Sequence, residues 1–545
     1  MQLTFLEKAS SSSKNIGIRF AEYARNHQDF LYKCLLVILL AILALIQTRT
    51  LYLPLDRDEG EFALMGQQIL DGVTPYSETY TMKLPGSALL YSIAMSLFGA
   101  SIPGIHFGLI VVRFLASLMI FAVARRFIGK LSSLISAISY SILSASVGVM
   151  GTAFYPEQAI ALLFLSGLYL ILTTEGQEDK QKARYYLRYV FAGISFSFAL
   201  LIKQHALFLI PVGFFALYYK HTHRPFKMLF KPALAFVLGL LLPVLIVAAY
   251  FFYSKAWDAF VFWCFTYSTA YVTFTSFMDG FGEFFFKTID VVRNTEILWL
   301  FGISGFIYAI VTRKSERLLL SGALLFSFLA IVPGYYFRDH YFIFLLPCIA
   351  LGIGFLHGSF WDTDKYRSDA VKIIFSSLLI TGLFSGIQFY ISGYSIKERL
   401  AIIYPTEAAT FYQTHLVSQC VTKQIKEGDR ILVLGNEPEV FFYTKAKNAS
   451  KFIYTIEVFR PTKWRTRLQD EFLQDMEKEE PRFIMIVPPL IYLNTSEDFT
   501  KRIDAFLIKH YEKASIEFTN QCKKDFPEYN PEQFSVIVLE NTGKS

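Results

Sequence analysis

Residues 55–99 read LDRDEGEFALMGQQILDGVTPYSETYTMKLPGSALLYSIAMSLFG. They follow an apolar run at 33–53, and about 20 apolar residues suffice to cross a bilayer. Four acids, Asp56, Asp58, Glu59 and Glu61, fall within six positions and are bracketed by apolar sequence. A loop that only joined two spans would need neither this cluster nor the Lys83-Leu84-Pro85-Gly86 step after it. The stretch reads as an active-site loop held against a membrane. Its last part, Pro85 to Phe98, is apolar but short for a span, which predicts an interfacial or re-entrant helix.

The composition around the loop agrees. Of 545 residues, 54% are hydrophobic and only 18% charged, with a mean hydropathy of +0.40. A soluble domain carries about 25% charge, so the chain is expected to be an integral membrane protein. Its 55 Phe and 32 Tyr suit lipid-facing and interfacial positions. The net charge of +7 is modest, and the basic residues sit mostly in short loops, which points to topology and not to nucleic acid.

Further spans are expected near 104–124, 131–150, 157–174, 186–202, 204–219, 232–252, 296–312, 317–334, 341–358 and 371–391, eleven in all. Lys8, Lys14, Arg19 and Arg25 favour a cytoplasmic N-terminus, and no signal-peptide pattern is present. Every inner loop is then basic, from Arg125, Arg126 and Lys130, through Lys180, Lys182, Arg184 and Arg188, to Lys365 and Arg367. The odd count puts the C-terminus outside with the acidic loop. The expected location is a cell inner (plasma) membrane, with the C-terminal part periplasmic or extracellular.

The expected architecture is a polytopic α-helical membrane domain over 1–391, with its first outer loop at 54–100, and a soluble α/β domain over 392–545. In the second part DRILVLG (429–435), PRFIMIVPP (481–489) and FSVIVLE (534–540) read as buried strands, and 465–479 as a polar helix. Gly435 follows a strand without a G-x-G-x-x-G pattern, so no nucleotide site is read there. Asn448 and Asn494 start formal glycosylation sequons. Cys34, Cys264 and Cys348 lie in apolar sequence and read as packing residues, while a Cys420–Cys522 disulfide would suit an oxidising side. The aromatic outer segment 254–295 reads either as a cavity wall open to lipid or as an interfacial anchor.

Three charged sets on the outer side are not explained by topology: the acidic loop with Lys83, Lys203-Gln204-His205, and Arg338-Asp339-His340. Ionisable groups at membrane depth are costly and usually functional. Lys83, Lys203, Arg338 and the histidines His205 and His340 are candidates to converge on a lipid phosphate, Arg as a fork and Lys as a point charge. Bland readings stand beside this. Lys83 or Lys203 would snorkel to headgroups, Arg338 would pair with Asp339 or Glu157, and Glu157 would serve only the start of its helix. A carboxylate cluster opposite cations suggests acid–base chemistry beside a phosphate leaving group.

The same residues resemble a family. Asp58-Glu59-Gly60-Glu61-Phe62-Ala63, Gly72, Pro75-Tyr76, Lys83-Leu84-Pro85-Gly86 and Leu97-Phe98-Gly99 resemble the first outer loop of GT-C-fold glycosyltransferases of the protein O-mannosyltransferase and lipid A aminoarabinose transferase group. Gly193 to Lys203, Arg338 to Pro347 and the C-terminal domain are similar to later parts of such proteins. The chain departs from the pattern in Lys-Leu-Pro for Lys-Pro-Pro and in the extra Asp56.

The resemblance implies a polyisoprenyl-phosphate sugar donor, a lipid, glycan or protein acceptor, and inversion at the anomeric carbon. It implies Asp58 as general base, with Glu59 beside it and Asp56 or Glu61 as alternatives. Lys83 would contact the donor phosphate, assisted by Lys203, Arg338 and His340, and Glu157 would be a second acidic position. A phosphate leaving group needs no cofactor, and no metal-ligand motif is read; a divalent ion on Asp56, Asp58 and Glu157 is the less favoured alternative. The competing readings are a transporter or flippase of lipid-linked saccharides, which should show repeats and broken helices, and a receptor that transfers nothing.

Overall fold

A computed structural model describes residues 28–174, 182–222, 225–272, 275–361, 368–487, 497–514, 516–528 and 536–541. Lys8, Lys14, Arg19, Arg25, Lys180, Lys365, Arg367, the sequon at Asn494 and the ends of two expected strands (488–489 and 534–535) lie outside the described residues.

Helices form at each of the eleven expected places: Gln28–Gln47, Ile102–Ala124, Lys130–Ala145, Pro156–Leu172, Lys182–Ile202, Ile210–His221, Phe230–Tyr253, Glu296–Thr312, Arg317–Leu329, Leu346–Trp361 and Asp369–Ile391. Among the described residues six helical segments are long and apolar enough to cross a membrane alone. The others are shorter, so the count of eleven crossings does not follow from helix length. A core of Phe164, Phe196, Phe236 and Phe306 with many aliphatic side chains holds the bundle together.

The first outer loop folds into two helices. Asp56 caps the Arg57–Leu70 helix, accepting from the Glu59 amide at 2.9 Å. Pro85 opens the Pro85–Phe98 helix at a position where its missing N–H costs nothing. Phe62 and Ala63 of the first pack on Tyr91, Ala94 and Met95 of the second. The aromatic outer segment forms the helices Trp257–Val261, Ser268–Val272 and Phe277–Val292, with a π-helical turn at Phe262–Tyr267. The last of these meets Glu296–Thr312 at a bend of 111°.

Beyond the last long helix, five strands make one sheet in the order β2-β1-β3-β5-β4. They are β1 Arg430–Leu434, β2 Lys447–Asn448, β3 Phe483–Ile486, β4 Tyr511–Lys513 and β5 Ile537–Asn541. β1 is parallel to β2 and β3, while β5 is antiparallel to β3 and β4. The expected polar helix is Arg465–Glu479. A Cys420–Cys522 disulfide ties helix Ala408–Thr422 to helix Ile516–Asp525. This α/β part rests on both the acidic loop and the aromatic segment: Leu64 of the loop joins one of its cores, and Trp263 and Tyr267 join the other.

Candidate active site

Local sequence brings the two lysines together. Tyr76 donates its hydroxyl to the Lys83 carbonyl at 2.8 Å and so fixes the turn before Pro85. One residue after Pro85, a Cβ at Gly86 would stand 2.5 Å from the Leu201 carbonyl oxygen. Only glycine lets the Pro85–Phe98 helix approach the end of the Lys182–Ile202 helix this closely. Ser87 Oγ then donates to the Ile202 carbonyl at 2.8 Å. Lys203 is thereby delivered to the same side as Lys83.

Asp58 and Lys83 form the open part of the site. Lys83 Nζ lies 3.4 Å from Asp58 Oδ1, and their side chains are 28% and 29% exposed. Burial alone would raise the Asp58 carboxyl, but Lys83, then Lys203 and Arg338, outweigh it and hold the group below its ordinary value of 3.8. Burial alone would lower the Lys83 ammonium; Asp58 and Glu61 outweigh it and push it up. The pair is therefore ionised, and Lys83 also stands over the Phe62 ring at 5.6 Å.

The other acids of the loop have different partners. Asp56 is buried and accepts hydroxyls from Tyr155 and, at 2.7 Å, from Tyr404. Burial, and then the charges of Glu59 and Asp58, push it up to about 7. Glu59 turns away from Lys83. It accepts the Phe154 amide at 2.6 Å and lies 3.3 Å from His106 Nε2. Glu61 is fully buried and accepts from Thr81 and, at 3.0 Å, from Tyr454. Burial raises it to about 7 against the pull of Lys83.

Of the remaining candidates, Glu157, Lys203 and His340 lie deeper, and Arg338 is exposed. Lys203 pairs with Glu157, whose side chain has no exposure, and stands 4.2 Å over the Tyr341 ring. Lys203 therefore does not snorkel. His340 Nε2 is 3.8 Å from Glu157 Oε1, and its ring stacks on Tyr155 at 3.9 Å. Arg338 stands 5.5 Å from the Tyr336 ring. Asp339 pairs with Lys287 and Glu157 with Lys203, and among the described residues no carboxylate lies within ion-pair distance of Arg338. His205 packs edge-on against the same Tyr341 ring at 4.6 Å, with Nδ1 2.9 Å from the Ala330 carbonyl oxygen. Among the described residues no three His, Cys, Asp or Glu are placed to hold a metal ion.

Sequence reasoning did not find Tyr155, Tyr341, Tyr404 and Tyr454. Tyr341 adjoins His340, so its neighbourhood was a usable signal. Tyr404 and Tyr454 come from the C-terminal part and carry none. That part also grips the catalytic helix directly. Glu437 Oε1 lies 3.2 Å from Arg57 Nε, and the Tyr443 hydroxyl accepts the Leu55 amide at 2.8 Å.

Residues 82–248 match the family described as dolichyl-phosphate-mannose-protein mannosyltransferase. No curated protein matches the chain by sequence. Among solved structures, ArnT from Cupriavidus metallidurans bound to undecaprenyl phosphate is similar, with a TM-score of 0.59 and 12% identity over 94% of this chain and 98% of that one. The same protein in the apo state gives a TM-score of 0.59 over 93% and 98%. The archaeal oligosaccharyltransferase AglB from Archaeoglobus fulgidus, in complex with an inhibitory peptide and a dolichol-phosphate, gives 0.52 and 12% identity over 91% and 81%. The chain thus has the GT-C fold of membrane glycosyltransferases, as its first outer loop suggested.

Proposed function

We propose that the chain is an integral membrane glycosyltransferase that moves one hexosyl or pentosyl group from a polyisoprenyl phosphate to a lipid, glycan or protein acceptor. Transfer takes place on the outer face of a plasma membrane. The observation that carries this reading is the ionised Asp58–Lys83 pair, half-buried in the field of Lys203 on its inner side and the exposed Arg338. The Cys420–Cys522 disulfide, in the part that covers the loop, supports an oxidising outer side.

In this mechanism the acceptor hydroxyl attacks the anomeric carbon from the side opposite the phosphate. The new C–O bond forms as the bond to the phosphate oxygen breaks, so the configuration inverts. The hydroxyl proton passes to Asp58, which as a general base supplies about 10²–10⁴-fold. The electron pair leaves on the polyisoprenyl phosphate, and Lys83 and Arg338 hold the negative charge that develops there, an effect of about 10²–10³-fold per donor. Lys203, braced by Glu157, adds fixed positive potential, and His340 completes the wall. Asp56 and Glu59 hold the loop in place through Tyr155, Tyr404, His106 and the Phe154 amide. No cofactor has a role, because the donor carries its own leaving group.

The test is sugar transfer by the purified protein in detergent, with a panel of polyprenyl-phosphate sugars and a membrane extract as acceptor. Label should move from one donor class to an extract component. Binding of the lipid without transfer from any donor would overturn the proposal.

A further inference from the structure

Residues 460–467 read RPTKWRTR, four cations and no acid in eight positions. The transfer chemistry does not use them. They form the turn between the Ile456–Phe459 and Arg465–Glu479 helices of the C-terminal part. Lys463 and Arg467 are exposed. Each still lies against an aromatic ring: Lys463 is 4.7 Å from the Trp464 centroid and Arg467 is 4.6 Å from that of Phe262. Arg460 lies 4.6 Å from the Tyr271 centroid.

Two of those rings belong to the outer aromatic segment, which continues from the Phe230–Tyr253 helix. Trp464 packs edge-on against Phe262 at 5.5 Å, which seats the turn on this segment. Farther along, the Phe277–Val292 helix leaves Phe277, Phe281, Phe285, Phe286 and Ile289 55–72% exposed. One aromatic segment thus carries both a bare apolar helix face and the rings on which the basic turn sits, the makeup of an element lying at a bilayer surface.

The nearby acids are already engaged. Glu457 holds Arg460 and Tyr267, Glu471 accepts from Tyr80, and Asp470 pairs with Arg502. Among the described residues neither Lys463 nor Arg467 has a carboxylate within ion-pair distance. An acid-free turn that merely faced solvent would not need its cations laid along rings of the segment next to the membrane.

We infer that Lys463 and Arg467 form a docking surface for the phosphates of anionic membrane lipids, which seats the C-terminal part on the bilayer beside the active-site loop. Charge complementarity selects a negative partner, and the exposed apolar helix farther along the segment on which the turn sits selects a lipid surface over a soluble anion. The inference does not depend on sugar transfer.

The experiment follows backbone hydrogen exchange over 457–470 in the full-length protein, in nanodiscs of phosphatidylcholine alone or with phosphatidylglycerol. Exchange should slow severalfold with phosphatidylglycerol. The slowing should vanish at high salt, since a surface contact is screened. It should also vanish in a Lys463→Gln, Arg467→Gln double variant of unchanged Tm, and persist in Lys463→Arg. Equal exchange in both lipids would overturn the inference. So would slowing that survives the double substitution, or slowing produced by inorganic phosphate without phosphatidylglycerol.

Discussion

Lys83 Nζ stands 3.4 Å from Asp58 Oδ1, beyond the about 2.7–2.9 Å of a tight charge-assisted hydrogen bond. Both side chains are more than a quarter exposed, whereas Glu157 beneath Lys203 has no exposure. The buried pair is a fixture of the wall. In the proposed reaction the loose pair is parted: a phosphate arriving at Lys83 would take over its ammonium and leave the Asp58 carboxylate to the acceptor hydroxyl.

Replacing Lys83 by Gln removes the cation and keeps a polar side chain of similar length. Transfer should fall by about 10²–10³-fold, the scale for losing one stabilising donor at a developing charge. Lys83→Arg should retain more activity than the Gln variant. Steady-state rates with a fixed acceptor check this; equal losses in both variants would argue for a purely structural lysine.

Donor binding should move the Asp58 titration. In the free protein the cations hold the carboxyl below 3.8, so its acid limb in kcat/KM lies at still lower pH. Bound phosphate neutralises part of that field and favours the protonated form, so the limb in kcat should appear at higher pH. The two profiles report the free protein and the complex respectively. A kcat limb at or below that of kcat/KM would contradict the exchange of partners.

Glu61 gives a stability signature. Burial raises its carboxyl from 4.5 to about 7, so the folded protein keeps a proton that the unfolded chain loses above pH 4.5. That stabilisation is full below pH 4.5 and is lost as pH rises to about 7. The Tm should therefore decline across this window, and Glu61→Gln should make the decline shallower. Thermal unfolding at a series of pH values checks the sign.

At Gly60 the C-terminal part lies directly against the Arg57–Leu70 helix. A Cβ there would stand 2.5 Å from the Glu439 backbone nitrogen, so Gly60→Ala must push the Glu439–Thr444 helix away. Overpacking of this kind costs about 1–3 kcal/mol. Thermal unfolding should show the loss, and transfer should weaken because Arg57 and Glu61 lose their partners. Unchanged stability and rate would mean that the two parts are not clamped here.

Much of this was legible in the sequence because it is local. Apolar runs located the helices, and the Lys83-Leu84-Pro85-Gly86 step and the acid cluster pointed to the candidate site. The strands at 430–434 and 483–486 stood out as buried apolar runs, whereas β2 and β4, with two and three residues, were too short to show. The division of labour among the acids was not legible. Asp56 takes a partner 348 residues away in Tyr404, and Glu61 takes one 393 away in Tyr454. No spacing rule links such positions, so Asp56, Asp58, Glu59 and Glu61 looked alike in sequence although, of the four, only Asp58 lies within ion-pair distance of Lys83.

The central claim is that Asp58 takes the proton from the acceptor. The direct measurement is transfer by Asp58→Asn against wild type at matched Tm and matched donor binding. The account predicts a loss of at least about 10²-fold, the scale of a missing general base, with donor still bound. Transfer that survives in Asp58→Asn would contradict it and move the base to another carboxylate of the loop.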